Sequence, residues 1–200
     1  MSFHLPYETL LGRAVRLEPL TFDHAPALLA AARTPEDWAW LPIPAPATLD
    51  EMRAWIAQAH GLLEKGLHYP YAIVCQGSGE VAGSTRYMNV RPHDRVVEIG
   101  WTWLARAHQR TAVNTEAKLL LLTHAFERAG TVRVELKTDG RNLRSQAAIA
   151  RLGAVREGVL RKHMITQGGF VRDTVMFGIT DDEWPVVRDK LRRSLAVPGR

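Results

Sequence analysis

The order in which strand-like and helix-like runs follow one another constrains the fold most. Three strand-like runs come in succession, YAIVC, VAGSTRYMNV and VVEIGWTWL, separated only by the short polar stretches QGSGE and RPHDR. Strands joined by such short turns pair antiparallel. The later pattern is helix, strand, helix and two further strands, near residues 155–165 and 171–179. This order predicts a mixed α/β (α+β) domain built around one central sheet.

Helices are predicted where capping residues precede segments of helical length and composition. After a first strand, RAVRLEPL, residues 21–23 offer an N-cap for a helix that runs through Ala32. A second helix is predicted over about residues 49–65, after a proline-rich loop at residues 38–46. The run TEAKLLLLTHAFERAG predicts a buried helix that closes at Gly130, and residues 142–152 predict a helix stopped by Gly153.

Length and composition predict one domain over residues 1–200, with a core at about 12–181 and a C-terminal helix and basic tail at 182–200. The 200 residues are 46% hydrophobic and 24% charged, as in ordinary globular domains. No run approaches the roughly 18 apolar residues that cross a bilayer, and the N-terminus lacks a secretory pattern. We therefore expect a cytoplasmic protein without membrane contact. The single cysteine, Cys75, is expected to be a core residue, with no charged or histidine neighbour to activate it.

The net charge of +5, from 26 Lys and Arg against 21 Asp and Glu, suits an anionic partner. Nucleic acid, a membrane surface and a phosphate-bearing cofactor all fit that description. No recognised nucleic-acid-binding motif is present, so no nucleic acid is expected.

Four local sequences, in this order, resemble the GNAT acetyltransferases, in the branch of the ribosomal-protein N-terminal (alanine) acetyltransferases. They are RLEPL, EIGWTWL, NTEAKLLLLTHAFE, and N-x-x-S followed by LGAVREG. The resemblance covers almost the whole chain. It implies a GNAT fold, with a mixed central sheet of about seven strands, splayed between strands 4 and 5 and flanked by helices. It also implies an acetyl-CoA-dependent N-acetyltransferase that acts on a primary amine and needs no metal.

The resemblance implies that the cofactor pyrophosphate binds a loop of pattern Gln/Arg-x-x-Gly-x-Gly/Ala at the start of a helix, where backbone N–H groups and the helix dipole favour an anion. Two glycine positions hold Ala112 and Asn114 here, which restricts positive φ. The alternative is an ordinary helix start capped by Asn114, with Glu116 favourable near the dipole. The matching loop residues are Gln109, Arg110, Thr111, Ala112, Val113, Asn114 and Thr115.

The run EIGWTWL matches the strand that splays from VRVELK, so that the pantetheine arm can pair between them. Alternation predicts Ile99, Trp101 and Trp103 on one face, and Glu98 on the other. Glu98 is a candidate general base, or a strand-edge carboxylate paired with an arginine. The cofactor-binding backbone of this strand, including an oxyanion donor, comprises Trp101, Thr102, Trp103 and Leu104.

The N-x-x-S residues are Asn142 and Ser145. The resemblance implies that Asn142 binds the pantetheine arm and that Ser145 lies close to the thioester sulfur. Many relatives have a tyrosine where this chain has Ile149, which carries no proton to donate. Ser145 is therefore the candidate acid for the leaving thiolate, and a simple helix N-cap with a polar first turn is the alternative.

The acceptor site is predicted in the segments that the fold constrains least. These are the proline-rich loop and the RKHMITQGG hairpin, with the candidate residues Trp38, Trp40, Arg161 and His163. Core packing is the alternative for the tryptophans, and a surface position is the alternative for His163.

Since no strong base is evident beyond Glu98, the preferred acceptor is an amine of low pKa. A protein or peptide N-terminal α-amine fits best, and a small-molecule amine is the other candidate. A non-catalytic CoA-binding sensor or scaffold, and a transferase of a larger acyl group such as succinyl, are the alternatives. Relatives are often homodimers.

Overall fold

The structure is a computed structural model that describes residues 3–196. Residues 197–200 of the predicted basic tail lie outside the described residues. The strands are β1 (Leu10–Leu11), β2 (Val15–Pro19), β3 (His68–Cys75), β4 (Val81–Arg91), β5 (Val96–Leu104), β6 (Arg133–Asp139), β7 (Val155–Ile165) and β8 (Val171–Thr180). The helices are α1 (Ala25–Ala31), α2 (Leu49–Glu64), α3 (Ala112–Thr123), α4 (Leu143–Leu152) and α5 (Trp184–Ala196).

The strands form one mixed sheet in the order β1-β2-β3-β4-β5-β6-β8-β7. Only β5 and β6 pair in parallel among these neighbours, and the other pairs are antiparallel. The predicted α/β class is confirmed. The sheet has eight strands rather than about seven because the short β1 pairs with β2, which makes the splayed strands the fifth and sixth.

Helices cover the sheet on both faces, and each face has its own core. Helices α3, α4 and α5 bury Leu121, Ile149 and Trp184 against one face. Helices α1 and α2 bury Leu28 and Ile56 against the other. Burial on both faces fits a layered mixed α/β domain.

The helix boundaries follow local capping and stop signals. The Thr48 hydroxyl accepts a hydrogen bond from the N–H of Glu51, which caps α2. The predicted first helix begins instead as a 3-10 turn, Phe22–His24, before α1. Helix α3 continues as a π-helical turn, His124–Arg128, and the chain then reverses at Gly130 with a φ of 69°.

A buried carboxylate ties α3 to the start of β2. Glu116 accepts hydrogen bonds from the backbone N–H groups of Arg13, Ala14 and Val15, at 2.9, 2.6 and 2.8 Å. Its role here is to join two elements of the fold, which is more than the favourable dipole contact expected from sequence.

Among residues 3–196, no helix has both the length and the apolar character that a membrane span requires.

Candidate active site

The central feature of the site is a gap between β5 and β6. The two strands pair only at Val96, Val97 and Glu98, opposite Arg133, Val134 and Glu135. Both strands continue beyond these pairs, and a cavity of about 700 Å³ lies where they diverge. Facing backbone groups that no longer pair with each other are available to a ligand.

A β-bulge reshapes β5 inside this gap. Three steps along β5, from Gly100 to Trp103, match two steps along β4, and Trp101 has a φ of 50°. Ile99 consequently packs in the core under α3, α4 and α5, which we call the α3 core, and Trp103 packs in the core under α1 and α2, which we call the α2 core. The prediction that Ile99, Trp101 and Trp103 share one face is wrong, because an inserted residue reverses the alternation.

The loop before α3 has a different backbone from the one anticipated. Arg110 carries the positive φ, at 61°, whereas Ala112 and Asn114 lie within the helix. The absence of glycine at positions 112 and 114 therefore imposes no backbone strain. The helix is capped by Thr111, whose hydroxyl accepts from the N–H of Val113, and the alternative of an Asn114 cap is wrong.

The cavity wall includes most of this loop. Gln109, Arg110, Thr111, Asn114 and Thr115 line it, but Ala112 and Val113 do not. The Gln109 side chain donates to the Leu104 carbonyl at 2.9 Å and accepts from Arg144 at 2.5 Å. Gln109 thus joins the end of β5 to α4.

The first turn of α4 faces the same cavity. Asn142 caps the helix, its Oδ1 accepting from the N–H of Ser145 at 3.0 Å. Asn142, Ser145 and Ile149 all line the cavity. The N-cap alternative for Asn142 is therefore present in the structure, alongside a position from which its N–H₂ can reach a ligand.

Glu98 lies where β5 and β6 separate and lines the cavity with 2% of its surface exposed. Its Oε2 accepts from Asn89 Nδ2 at 2.7 Å and pairs with Lys137 Nζ at 3.1 Å. Its Oε1 has no partner in the described chain. The ion-pair partner is a lysine rather than the expected arginine.

Lys118 of α3 also lines the cavity, from the face of the sheet opposite to Glu98. Sequence reasoning missed this residue. Its ammonium donates to the hydroxyls of Thr85 and Thr102. Burial lowers the pKa of Lys118 from 10.5 to about 7. The available signal was that Lys118, with Glu116, is one of two charged residues in a helix otherwise rich in leucine.

The predicted acceptor residues lie in three different places. Trp40 lines the cavity. Trp38 is 1% exposed and packs against Trp55 and Trp103, so the substrate assignment for Trp38 is corrected to core packing. Arg161 and His163 are exposed on β7 and do not line the cavity.

His163 adjoins the site without entering it. Its Nδ1 lies 3.1 Å from Thr174 Oγ1, and its pKa is lowered by partial burial and by the charges of Lys137 and Arg172. The exposure of the residue on β7 agrees with the surface alternative.

The two segments expected to hold the acceptor are joined directly. Gln167 Nε2, in the turn between β7 and β8, lies 3.0, 2.7 and 2.6 Å from the carbonyl oxygens of Trp38, Leu41 and Ile43. This amide fixes the proline-rich loop over the hairpin.

Arg172 of β8 is a second cavity residue that sequence reasoning missed. It is 5% exposed, and its Nε has no hydrogen-bond partner among residues 3–196. Nearby, Asp139 pairs with Arg141 at 2.8 Å, and the Arg141 guanidinium lies over the ring of Phe170. An arginine inside a strand-like run gives no sequence signal of this placement.

Cys75 has a neighbour that was not expected, His108, whose Nδ1 lies 3.8 Å from its sulfur. Burial and the charge of Glu80 nevertheless raise the pKa of the Cys75 thiol. The structure therefore agrees with a packing role for this residue rather than a nucleophilic one.

Comparison with known proteins identifies the family to which this arrangement belongs. Residues 14–155 match the family described as acetyltransferase (GNAT) domain. A GCN5-related N-acetyltransferase from Brucella melitensis is 32% identical, with a TM-score of 0.92 over 98% of this chain and 89% of that one.

Two more distant structures share the fold. Mycobacterium smegmatis RimJ in complex with CoA-disulfide is 22% identical, with a TM-score of 0.79 over 94% of this chain and 91% of that one. RimL, a ribosomal L7/L12 α-N-protein acetyltransferase, is 23% identical, with a TM-score of 0.76 over 86% of this chain and 94% of that one.

Proposed function

We propose that this chain, which belongs to the GNAT acetyltransferase family, transfers acetyl from acetyl-CoA to an α-amine of a peptide or protein N-terminus or of a small molecule. That the chain is a GNAT N-acetyltransferase using acetyl-CoA follows from the family, and the acceptor is the proposed part. The observation that carries the proposal is the cavity in the β5–β6 gap, which Glu98 and the start of α3 both line. The likeness to RimL supports an α-amine and a place near the ribosomal-protein acetyltransferases.

The α3 end of the cavity suits the cofactor pyrophosphate. The first turn of a helix presents unpaired N–H groups and the positive end of its dipole. Arg110 and Arg144 add cationic side chains to this wall. Beyond them, the free edge of β5 from Trp101 to Leu104 and the Asn142 amide offer hydrogen bonds to the pantetheine arm.

The residues around the gap can divide the chemistry among them. The amine nitrogen attacks the thioester carbonyl, so that a C–N bond forms and the C–S bond breaks. Glu98 Oε1 accepts the proton that the amine loses, directly or through a water. A backbone N–H of the β5 bulge donates to the developing oxyanion. The Ser145 hydroxyl passes a proton to the leaving thiolate and regains one from solvent water, so that the serine ends the reaction as a neutral hydroxyl.

Acidities favour an α-amine over a lysine side chain. An α-amine has a pKa of about 7.7 to 8.0 and is partly neutral at pH 7, whereas a lysine amine near 10.4 is almost wholly charged. Neutralising the lysine amine at pH 7 costs roughly 4 to 5 kcal/mol. A single carboxylate such as Glu98 suffices for the easier acceptor, and positioning of the two reactants then supplies most of the acceleration.

A panel of amines and short peptides tests the proposal, with acetyl-CoA as donor and free thiol release as the signal. We expect thiol release that depends on an α-amine. A parallel series with succinyl-CoA should release thiol more slowly. If no amine in the panel caused thiol release, the proposal would be wrong. If succinyl-CoA released thiol faster than acetyl-CoA, the proposed donor would have to be changed to succinyl-CoA.

A further inference from the structure

A buried cation at the acceptor end of the cavity has no partner of its own. Arg172 is 5% exposed and lines the cavity, and it forms no ion pair with any carboxylate of residues 3–196. A guanidinium stays charged at all ordinary pH values and carries five N–H donors. A buried charge without a partner is costly, so such a residue calls for a reason.

The two carboxylates near Arg172 are already engaged. Glu98 binds Lys137 and Asn89 through Oε2, and Asp139 binds Arg141. Burial lowers the pKa of Arg172, while Asp139 and Glu98 oppose the shift. Both carboxylates are therefore close enough to act through space without forming a pair, which leaves the fork of Arg172 free.

Arg172 and Glu98 lie on the same face of the sheet. Val97 and Val134 pair and both pack in the α3 core, so Glu98, Glu135 and Lys137 point to the opposite face. Asp139 pairs with Thr174, which places Thr174 and Arg172 on that face as well. The unpartnered Oε1 of Glu98 and the unpartnered Nε of Arg172 thus belong to one wall.

We propose that the acceptor carries an anionic oxygen group, a carboxylate or a phosphate, that binds the Arg172 guanidinium while the amine faces Oε1 of Glu98. The inference rests on the proposed function, since it names the acceptor class for the same site. A planar guanidinium matches the geometry of both groups and can bind either with two parallel hydrogen bonds. An acceptor without an anionic group leaves Arg172 desolvated and unpaired when the cavity fills, and should be selected against.

Matched acceptors that differ in one anionic group provide the test. The first set pairs each of the common amino acids with its carboxamide, and the second pairs phosphoethanolamine with ethanolamine, all with acetyl-CoA. Rates are expressed per neutral amine, because an adjacent carboxylate or phosphate alters the amine pKa. We expect the anionic member of the best pair to have a kcat/KM roughly 10- to 100-fold higher. The set in which this occurs distinguishes a carboxylate from a phosphate.

Variants locate the effect. Arg172→Gln should abolish the preference by slowing the anionic acceptor alone, and Arg172→Lys should restore part of it, since the charge returns without the fork. Arg156→Gln removes the same charge from an exposed position of β7 outside the cavity and should retain the full preference. Unchanged binding of CoA shows that each variant is folded.

The outcomes separate this inference from the proposed function. Equal rates for the anionic and neutral members in the wild type would overturn the inference and leave the acetyltransferase intact. So would an equal loss for both members in Arg172→Gln. Acetylation of no amine of either kind would overturn the proposed function together with the inference. If Arg172→Gln does not fold, the wild-type ratios and Arg172→Lys decide.

Discussion

Glu98 Oε2 lies 3.1 Å from Lys137 Nζ, at the point where β5 and β6 separate. The ion pair and the Asn89 amide hold one carboxylate oxygen, while the other has no partner among the described residues. A carboxylate that is fixed through one oxygen and has no partner at the other, in the wall of the cavity, can receive a proton from a ligand bound there.

Glu98→Gln should lower the acetylation rate most at low pH and least at high pH. At low pH the amine is charged and a base is needed, whereas near pH 9 the neutral amine is abundant without one. The rate should be measured from pH 6 to 9 in wild type and variant. Glu135→Gln changes the paired residue on β6, outside the cavity, and should keep the wild-type profile. If the pH profile of the rate were unaltered in Glu98→Gln, Glu98 would not be the base.

Peptides with a free α-amine should react faster at pH 7 than Nα-blocked peptides that carry a lysine. The gap should narrow toward pH 9, because the neutral fraction of the α-amine saturates near its pKa while that of lysine still rises about tenfold per unit. Initial rates for one matched pair of peptides measure this. A strong lysine preference at pH 7 would point to another base, with His108, His124 and His163 examined first.

Acetyl-CoA should raise the melting temperature by an amount that grows with the logarithm of its concentration relative to Kd, as a ligand of the native state does. Arg110→Glu should weaken this binding at least about tenfold, because one cation beside the anion becomes a negative charge. Titration by thermal shift and calorimetry measures the change. Arg156→Glu makes the same reversal on exposed β7 and should bind normally. If Arg110→Glu bound acetyl-CoA with unchanged affinity, the loop of residues 109–115 would not be part of the cofactor site.

The order of strands and helices was predictable because alternation, capping residues and glycine stops are local signals. Residues 96–104 were predicted as a strand with the observed limits, and the Gly153 stop was correct, with a φ of 112° there. The bulge at Trp101 was not predictable. It depends on how β5 pairs with β4, and the residues of β5 alternate normally when read alone.

Most residues predicted to hold the cofactor do line the cavity, whereas of the residues predicted to hold the acceptor only Trp40 does. Gln109, Asn142 and Ser145 line the cavity, as the motif positions indicated. Trp38 is a core residue because it packs against Trp55 of α2 and Trp103 of β5, which are distant from it in sequence. Arg172 and Lys118 escaped notice since their burial arises from elements distant in sequence.

Ser145→Ala should reduce turnover about 10- to 100-fold with little change in cofactor affinity, because general-acid help to a good leaving group has a modest effect. Asn142→Ala should act differently. It should weaken CoA binding and also lower the free energy of unfolding by about 1 kcal/mol, since α4 loses its N-cap. Single-turnover kinetics and denaturation compare the two. Full single-turnover rates in Ser145→Ala would exclude the leaving-group role.

Lys118→Met should stabilise the CoA-free protein, and by more at pH 7 than at pH 9. In the wild type, burial lowers the pKa of Lys118 to about 7, whereas the unfolded chain keeps a lysine pKa near 10.4. Between these values the unfolded state binds more protons, so wild-type stability rises with pH by up to about 1.4 kcal/mol per unit. Below pH 7 both states are protonated and the full penalty for the buried charge applies. Methionine carries no such penalty, so the variant's advantage in free energy of unfolding should be greatest near pH 6 to 7, up to about 4 kcal/mol, and should shrink toward pH 10.

Urea denaturation at several pH values measures the difference in free energy of unfolding between Lys118→Met and the wild type. Lys190→Met on exposed α5 is a control that should show no such difference. A difference that is independent of pH would show that Lys118 titrates like an ordinary lysine.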